Sequence, residues 1–151
     1  MKPFKNIQRK LASFRVNLLG TYSTTSKSTL NVLVVDNEKI NQLFLSEQLK
    51  KFGITPDIAN HGAEALSMMA DQKYNIIFMD LEMPVMDGFE ATRKIKALYP
   101  DSPVIVGYSS LHSDYYHHQC INEGMIQLLP KKATQEEIGA VLDKIYSMLS
   151  N

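Results

Sequence analysis

From residue 30 onward, short apolar runs alternate with longer amphipathic stretches. The runs at 30–35, 55–59, 75–79, 104–108 and 125–129 have strand length, and Val32-Leu33-Val34-Val35 and Ile76-Ile77-Phe78-Met79 are apolar without a break. Over 40–52, 63–71, 89–98, 112–122 and 135–149 the apolar positions recur instead at intervals of three and four, the period of a helix with one buried face. Gly53, Gly62, Gly88, Pro100 and Gly124 fall at the ends of these segments, where chain reversals are expected. Regular strand–helix alternation joins parallel strands through right-handed crossovers, and unbroken apolar strands suit a sheet covered on both faces. The pattern predicts an α/β domain over 30–150, a doubly wound five-stranded parallel sheet with five helices.

The first thirty residues read differently. Phe4, Ile7, Leu11, Phe14 and Leu18 form one helical stripe, Pro3 suits a first turn and Gly20 an end, so a basic amphipathic helix is expected over 1–20. Residues 21–29, rich in Ser and Thr, read as a linker. All six charges of residues 1–30 are basic (Lys2, Lys5, Arg9, Lys10, Arg15, Lys27). The 151-residue chain has 16 basic and 16 acidic side chains, so residues 31–151 carry ten against sixteen. An acidic body argues against nucleic-acid binding. Arg9, Lys10 and Arg15 interrupt any signal-peptide core, no apolar run is long enough to span a bilayer, and the single Cys120 cannot form an internal disulfide. A cytoplasmic location is therefore expected. The N-terminal stripe could pack on the body, dimerise as a short coiled-coil homodimer or lie on an anionic membrane; a protein contact ranks first and the membrane surface second.

In a doubly wound sheet the chemistry belongs at the carboxyl ends of the strands. Those ends carry Asp36-Asn37-Glu38, Asp80-Leu81-Glu82, Ser109-Ser110 and Pro130-Lys131-Lys132. Clustered carboxylates with water suit a hard cation such as Mg²⁺, and a neighbouring Lys suits phosphoryl oxygens. His112, His117, His118 and Cys120 look like a second cluster, but adjacent helical residues point to different faces, so an exposed helix with Cys120 packed inward is the better reading. Tyr115 and Tyr116 suit a partner surface.

The run Val32 to Asp36, the loop Met79-Asp80-Leu81-Glu82-Met83-Pro84-Val85-Met86-Asp87-Gly88-Phe89-Glu90-Ala91-Thr92, and Cys120-Ile121-Asn122-Glu123-Gly124-Met125 followed by Lys131 resemble the receiver domain of bacterial response regulators, closest to receivers attached to hybrid sensor histidine kinases. The resemblance covers roughly 30–150 and implies the flavodoxin-like strand order 2-1-3-4-5. Beside it, the N-terminal stripe could also be the remnant of a linker from a larger kinase. It implies that Asp80 accepts a phosphoryl group from a phosphohistidine on a histidine kinase or phosphotransfer protein. It further implies Mg²⁺ held by Asp36, Asn37, Asp80 and the Glu82 backbone carbonyl, Lys131 paired with the acylphosphate, and a hydroxyl switch at the end of the fourth strand. Counting from Pro103 puts Tyr108 at the switch, whereas spacing to Lys131 puts Ser109 there; the small hydroxyl is favoured.

Asn37 stands where the family has a second Asp, Leu128 where it has an aromatic, and Lys132 where it has a proline. These departures favour an alternative, a pseudo-receiver acting unphosphorylated as an interaction module. A Mg²⁺-dependent phosphohydrolase with an aspartyl nucleophile is the third reading, but no second general acid or cap segment is visible. The first reading predicts no enzyme activity beyond self-phosphorylation and autophosphatase activity. No effector follows 135–149, so output is expected by onward phosphoryl transfer or by protein contact through the fourth helix, fifth strand and fifth helix.

Overall fold

A computed structural model of the chain describes residues 15–16, 22–23, 30–101 and 103–150. Its elements are strands β1 (Arg15–Val16), β2 (Tyr22–Ser23) and β3 (Val32–Val35), helix α1 (Lys39–Lys50), β4 (Asp57–Ala59), α2 (Gly62–Asp71), β5 (Ile76–Met79), α3 (Gly88–Leu98), β6 (Val104–Ser109), α4 (Asp114–Asn122), β7 (Leu128–Pro130) and α5 (Gln135–Ser150). The last five strands form one parallel sheet in the order β4-β3-β5-β6-β7, which is 2-1-3-4-5 counted from β3.

Strand alternation divides the core into two layers. Val32, Val34, Ile76, Phe78, Val106 and Tyr108 face one side, where they pack with Leu45 and Leu49 of α1 and with Ile138, Val141, Leu142 and Ile145 of α5. Leu33, Val35, Ile77, Met79 and Ile105 face the other, against α2, α3 and α4 through Ala65, Met69, Ala91, Ile95 and Cys120. Both faces are covered, which explains why β3 and β5 contain no polar residue.

Local chemistry sets several boundaries. Asp87 caps α3 by accepting from the Glu90 N–H at 2.8 Å. Thr134 and Glu137 form a reciprocal capping box before α5, at 3.2 and 2.7 Å. The fourth helix begins at Asp114 rather than at 112, because Ser113 accepts from the Tyr116 N–H at its start. The fifth strand, expected over 125–129, is Leu128–Pro130. Gly124 adopts φ 96°, and only from Ile126, whose N–H donates to Ile105 at 2.9 Å, does the chain run beside β6.

At the N-terminal side one expectation changes. Arg15–Val16, placed by the apolar stripe in a helix over 1–20, pairs antiparallel with Tyr22–Ser23. In the register Arg15 stands opposite Ser23 and Val16 opposite Tyr22. Phe4, Ile7, Leu11, Phe14 and Leu18 lie outside the described residues, as does most of the expected linker. Among the described residues, no helix is long and apolar enough to cross a membrane.

Candidate functional site

The ends of β3 and β5 place two carboxylates side by side. Each acid continues its strand by one residue: the Asp36 N–H donates to Ala59 at 3.1 Å and the Asp80 N–H to Val35 at 2.9 Å. Each carboxylate then accepts from the backbone two residues on, Asp36 Oδ1 from Glu38 at 2.8 Å and Asp80 Oδ1 from Glu82 at 3.2 Å. Lys131 follows β7 in a turn closed by the Ala133 N–H on the Pro130 carbonyl at 3.0 Å. Its Nζ donates to Asp36 Oδ2 and lies 3.4 Å from Asp80 Oδ1. Glu38, Asn41, Asp80, Glu82, Ser110 and Lys131 line a cleft of about 200 Å³ over this group.

Asp36 and Asp80 are 0% and 3% exposed. Burial pushes the Asp80 carboxyl up to about 6, and the Asp36 charge adds to the rise against the opposing pull of the Lys131 ammonium. With both carboxylates ionised the trio retains one net negative charge, and Glu38 and Glu82 at the mouth add more. The cleft therefore attracts a cation and offers hard oxygen donors, a set that fits Mg²⁺. Among the described residues no three His, Cys, Asp or Glu side chains converge as a metal cage. Asn37 is exposed, while its neighbour Glu38 lines the cleft.

The remaining expected residues are placed as follows. Ser109 is fully buried and its Oγ accepts from the Leu111 N–H at 3.1 Å. Ser110 reaches the cleft mouth and donates to Glu82 Oε2 at 3.2 Å. Tyr108 points to the opposite core layer and its phenol donates to the Lys131 carbonyl. Leu128 is buried in the layer that holds Cys120. Burial pushes the Cys120 thiol up to about 11, leaving it protonated at neutral pH. Gln42 escaped sequence reasoning. It is 3% exposed, and its Nε2 donates to the Asp36 carbonyl at 2.7 Å and to Asn60 Oδ1 at 2.9 Å. The signal was its place on the Gln42, Leu45, Leu49 stripe, where an apolar residue is expected.

The loop from β5 to α3 holds Asp80 from behind. The Gly88 N–H donates to Leu81 at 3.0 Å, and a Cβ at Gly88 would lie 2.0 Å from the Asp80 carbonyl oxygen. Val85, at the solvent tip, adopts φ 69°, a costly conformation for a β-branched residue. Strained backbone therefore lies within the loop that carries the central carboxylate.

Residues 32–143 match the family model described as the response regulator receiver domain. The chain is 30% identical over 125 residues to hybrid signal transduction histidine kinase F of Dictyostelium discoideum, covering 80% of this chain and 11% of that protein. It thus spans about a tenth of that relative's length. Its fold is similar to the receiver domain of the Arabidopsis thaliana histidine kinase CKI1 in complex with Mg²⁺ and BeF₃⁻. There the TM-score is 0.67 at 30% identity, covering 78% of this chain and 90% of that one. It is also similar to a co-crystal structure of the Saccharomyces cerevisiae histidine phosphotransfer signaling protein Ypd1 and the receiver domain of its downstream response regulator Ssk1, with TM-score 0.72 at 25% identity, covering 81% and 92%.

Proposed function

The chain belongs to the response regulator receiver domain family, and from that premise we propose that it is a phosphorelay receiver that takes a phosphoryl group on Asp80 from a phosphohistidine. The observation that carries this reading is the buried Asp80 carboxylate, set beside Asp36 and Lys131 at the floor of an open cleft. An Asp80 carboxylate oxygen attacks phosphorus, the P–N bond to the donor imidazole breaks, and the imidazole nitrogen keeps the electron pair and takes a proton from solvent. Lys131 then leaves Asp80 for a phosphoryl oxygen, where its charge offsets the one transferred. Ser109 supplies the switch hydroxyl by giving up the Leu111 N–H.

Asp36, Asp80 and the Glu82 carbonyl would hold Mg²⁺, with Asn37 as a neutral oxygen donor. Bound there, the ion neutralises charge on the transferring phosphoryl group. The CKI1 receiver complexed with Mg²⁺ and BeF₃⁻ supports this use of the site. Without phosphoryl donor, Mg²⁺ at ten times its dissociation constant is expected to stabilise the native chain by about 1.4 kcal/mol. Thermal melts should register this as a rise in Tm that is absent in Asp36→Asn; an equal rise in both would remove Asp36 from the site.

The donor is a histidine kinase or phosphotransfer protein, by analogy with the Ypd1–Ssk1 complex. It has to cover the cleft mouth, beside which α1 exposes Ile40, Leu43 and Phe44 on one face. Phe44→Glu is expected to slow labelling by a phosphorylated phosphotransfer protein at least about tenfold, the worth of burying part of one aromatic side chain. Labelling by acetyl phosphate should stay unchanged. Equal loss with both donors would place the effect in the fold, and no loss with either would remove this face from the donor contact. Output runs through α4, β7 and α5 by protein contact or by onward transfer. The exposed Asn37 favours a second reading, an unphosphorylated interaction module; failure of both donors to label the folded native chain would select it.

A further inference from the structure

Tyr108 is an unusual residue to find beneath such a site. Neighbouring β6 residues are small or aliphatic, yet Tyr108 is 1% exposed and among the largest fully buried side chains. A buried phenol needs a hydrogen-bond partner, and this one donates to the backbone carbonyl of Lys131, at the centre of the Pro130–Ala133 turn. The same ring lies under the Lys131 side chain, with Nζ 4.8 Å from its centroid, within cation–π range. One side chain thus holds Lys131 at two points, its carbonyl and its ammonium, while Nζ reaches Asp36 and Asp80. Lys132, which follows, is exposed.

We propose that Tyr108 is a positioning residue for phosphoryl transfer: its phenol clamps the Lys131 turn and its ring keeps the Lys131 ammonium over the two carboxylates. The inference rests on the receiver reading of the site. A lysine has four rotatable side-chain bonds, so an ammonium left to itself spends most of its time in solvent. When Asp80 gains a phosphoryl group the ammonium has only to pass from Asp80 Oδ1 to a phosphoryl oxygen. The ring under it shortens that path and disfavours the swing outward. Placement of this kind acts on the rate of the chemical step more than on donor affinity.

The test compares the full native chain with Tyr108→Phe, which keeps the ring and removes the clamp, and Tyr108→Leu, which removes both. Two readouts are needed: acetyl phosphate labelling with Mg²⁺ across donor concentrations, and the NMR signal of the Lys131 side-chain Cε, assigned by its loss in Lys131→Arg. In Tyr108→Phe the maximal labelling rate is expected to fall about tenfold, with half-saturating acetyl phosphate unchanged within about twofold. The Lys131 signal should move part of the way to that of solvated lysines, and all the way in Tyr108→Leu. A Lys131 signal that stays in place in both variants would overturn the proposal, as would a labelling rate that stays native or falls only in step with the folded fraction. The NMR readout decides whether Tyr108 holds Lys131 even if the native chain takes no label, so failure of the receiver reading and failure of the clamp are separable.

Discussion

Asp80→Asn is expected to be more stable than the native chain at pH 8 by about 1–3 kcal/mol, with the gain shrinking toward zero near pH 4. The carboxyl is pushed up to about 6 in the folded protein, chiefly by burial and further by Asp36, from an ordinary value of 3.8 when unfolded. An acid whose folded value is raised is worse off ionised in the folded state than in the unfolded one. Its cost is present in full above pH 6, declines as pH falls through 6, and is gone below 4. Asn keeps the shape and the acceptor for the Glu82 N–H but carries no charge, so it removes that cost. Urea unfolding at pH 8 and pH 4.5 without divalent cations checks both halves. A native chain that is the more stable at pH 8 would mean that the Lys131 attraction outweighs burial and the Asp36 repulsion.

Gly88→Ala is expected to lose about 2–4 kcal/mol of stability and to lose at least about tenfold in acetyl phosphate labelling. A Cβ there would stand 2.0 Å from the Asp80 carbonyl oxygen and 2.9 Å from Leu81 Cα. These are backbone atoms, so no rotamer change relieves the clash. Either α3 retreats and gives up the Gly88 N–H bond to Leu81, or the Asp80 peptide turns and carries its carboxylate away from Lys131. Both movements act on the site. Paired urea unfolding and labelling rates test this. A variant with native stability and native labelling would show that the loop has slack that its packing does not suggest.

Much of this site was legible in the chain because the fold puts strand ends, not scattered residues, into the cleft. The unbroken apolar runs 32–35 and 76–79 located two strands of the sheet, and the first acid after each is a partner of the Lys131 ammonium. The ambiguity between Tyr108 and Ser109 arises because consecutive strand residues face opposite layers, so a one-residue shift in register exchanges them. The pairing of Gly107 with Met79 and Leu128 settles which way each points. Gln42 was missed because a single polar residue on an apolar stripe is weak evidence until its carbonyl partner, six residues back, is known. The Tyr108 hold on Lys131 joins residues 23 positions apart, which no local pattern reveals. Arg15–Val16 shows the limit of a helical stripe: the three-and-four spacing was present, but a strand partner at Tyr22–Ser23 competes for the same backbone.

The central claim is that Asp80 is a phosphoryl acceptor, and intact mass after incubation with acetyl phosphate and Mg²⁺ tests it most directly. The native chain is expected to gain one phosphoryl group and Asp80→Asn none. A folded native chain that gains nothing, beside a control receiver that does, would contradict the account, and so would equal labelling of Asp80→Asn.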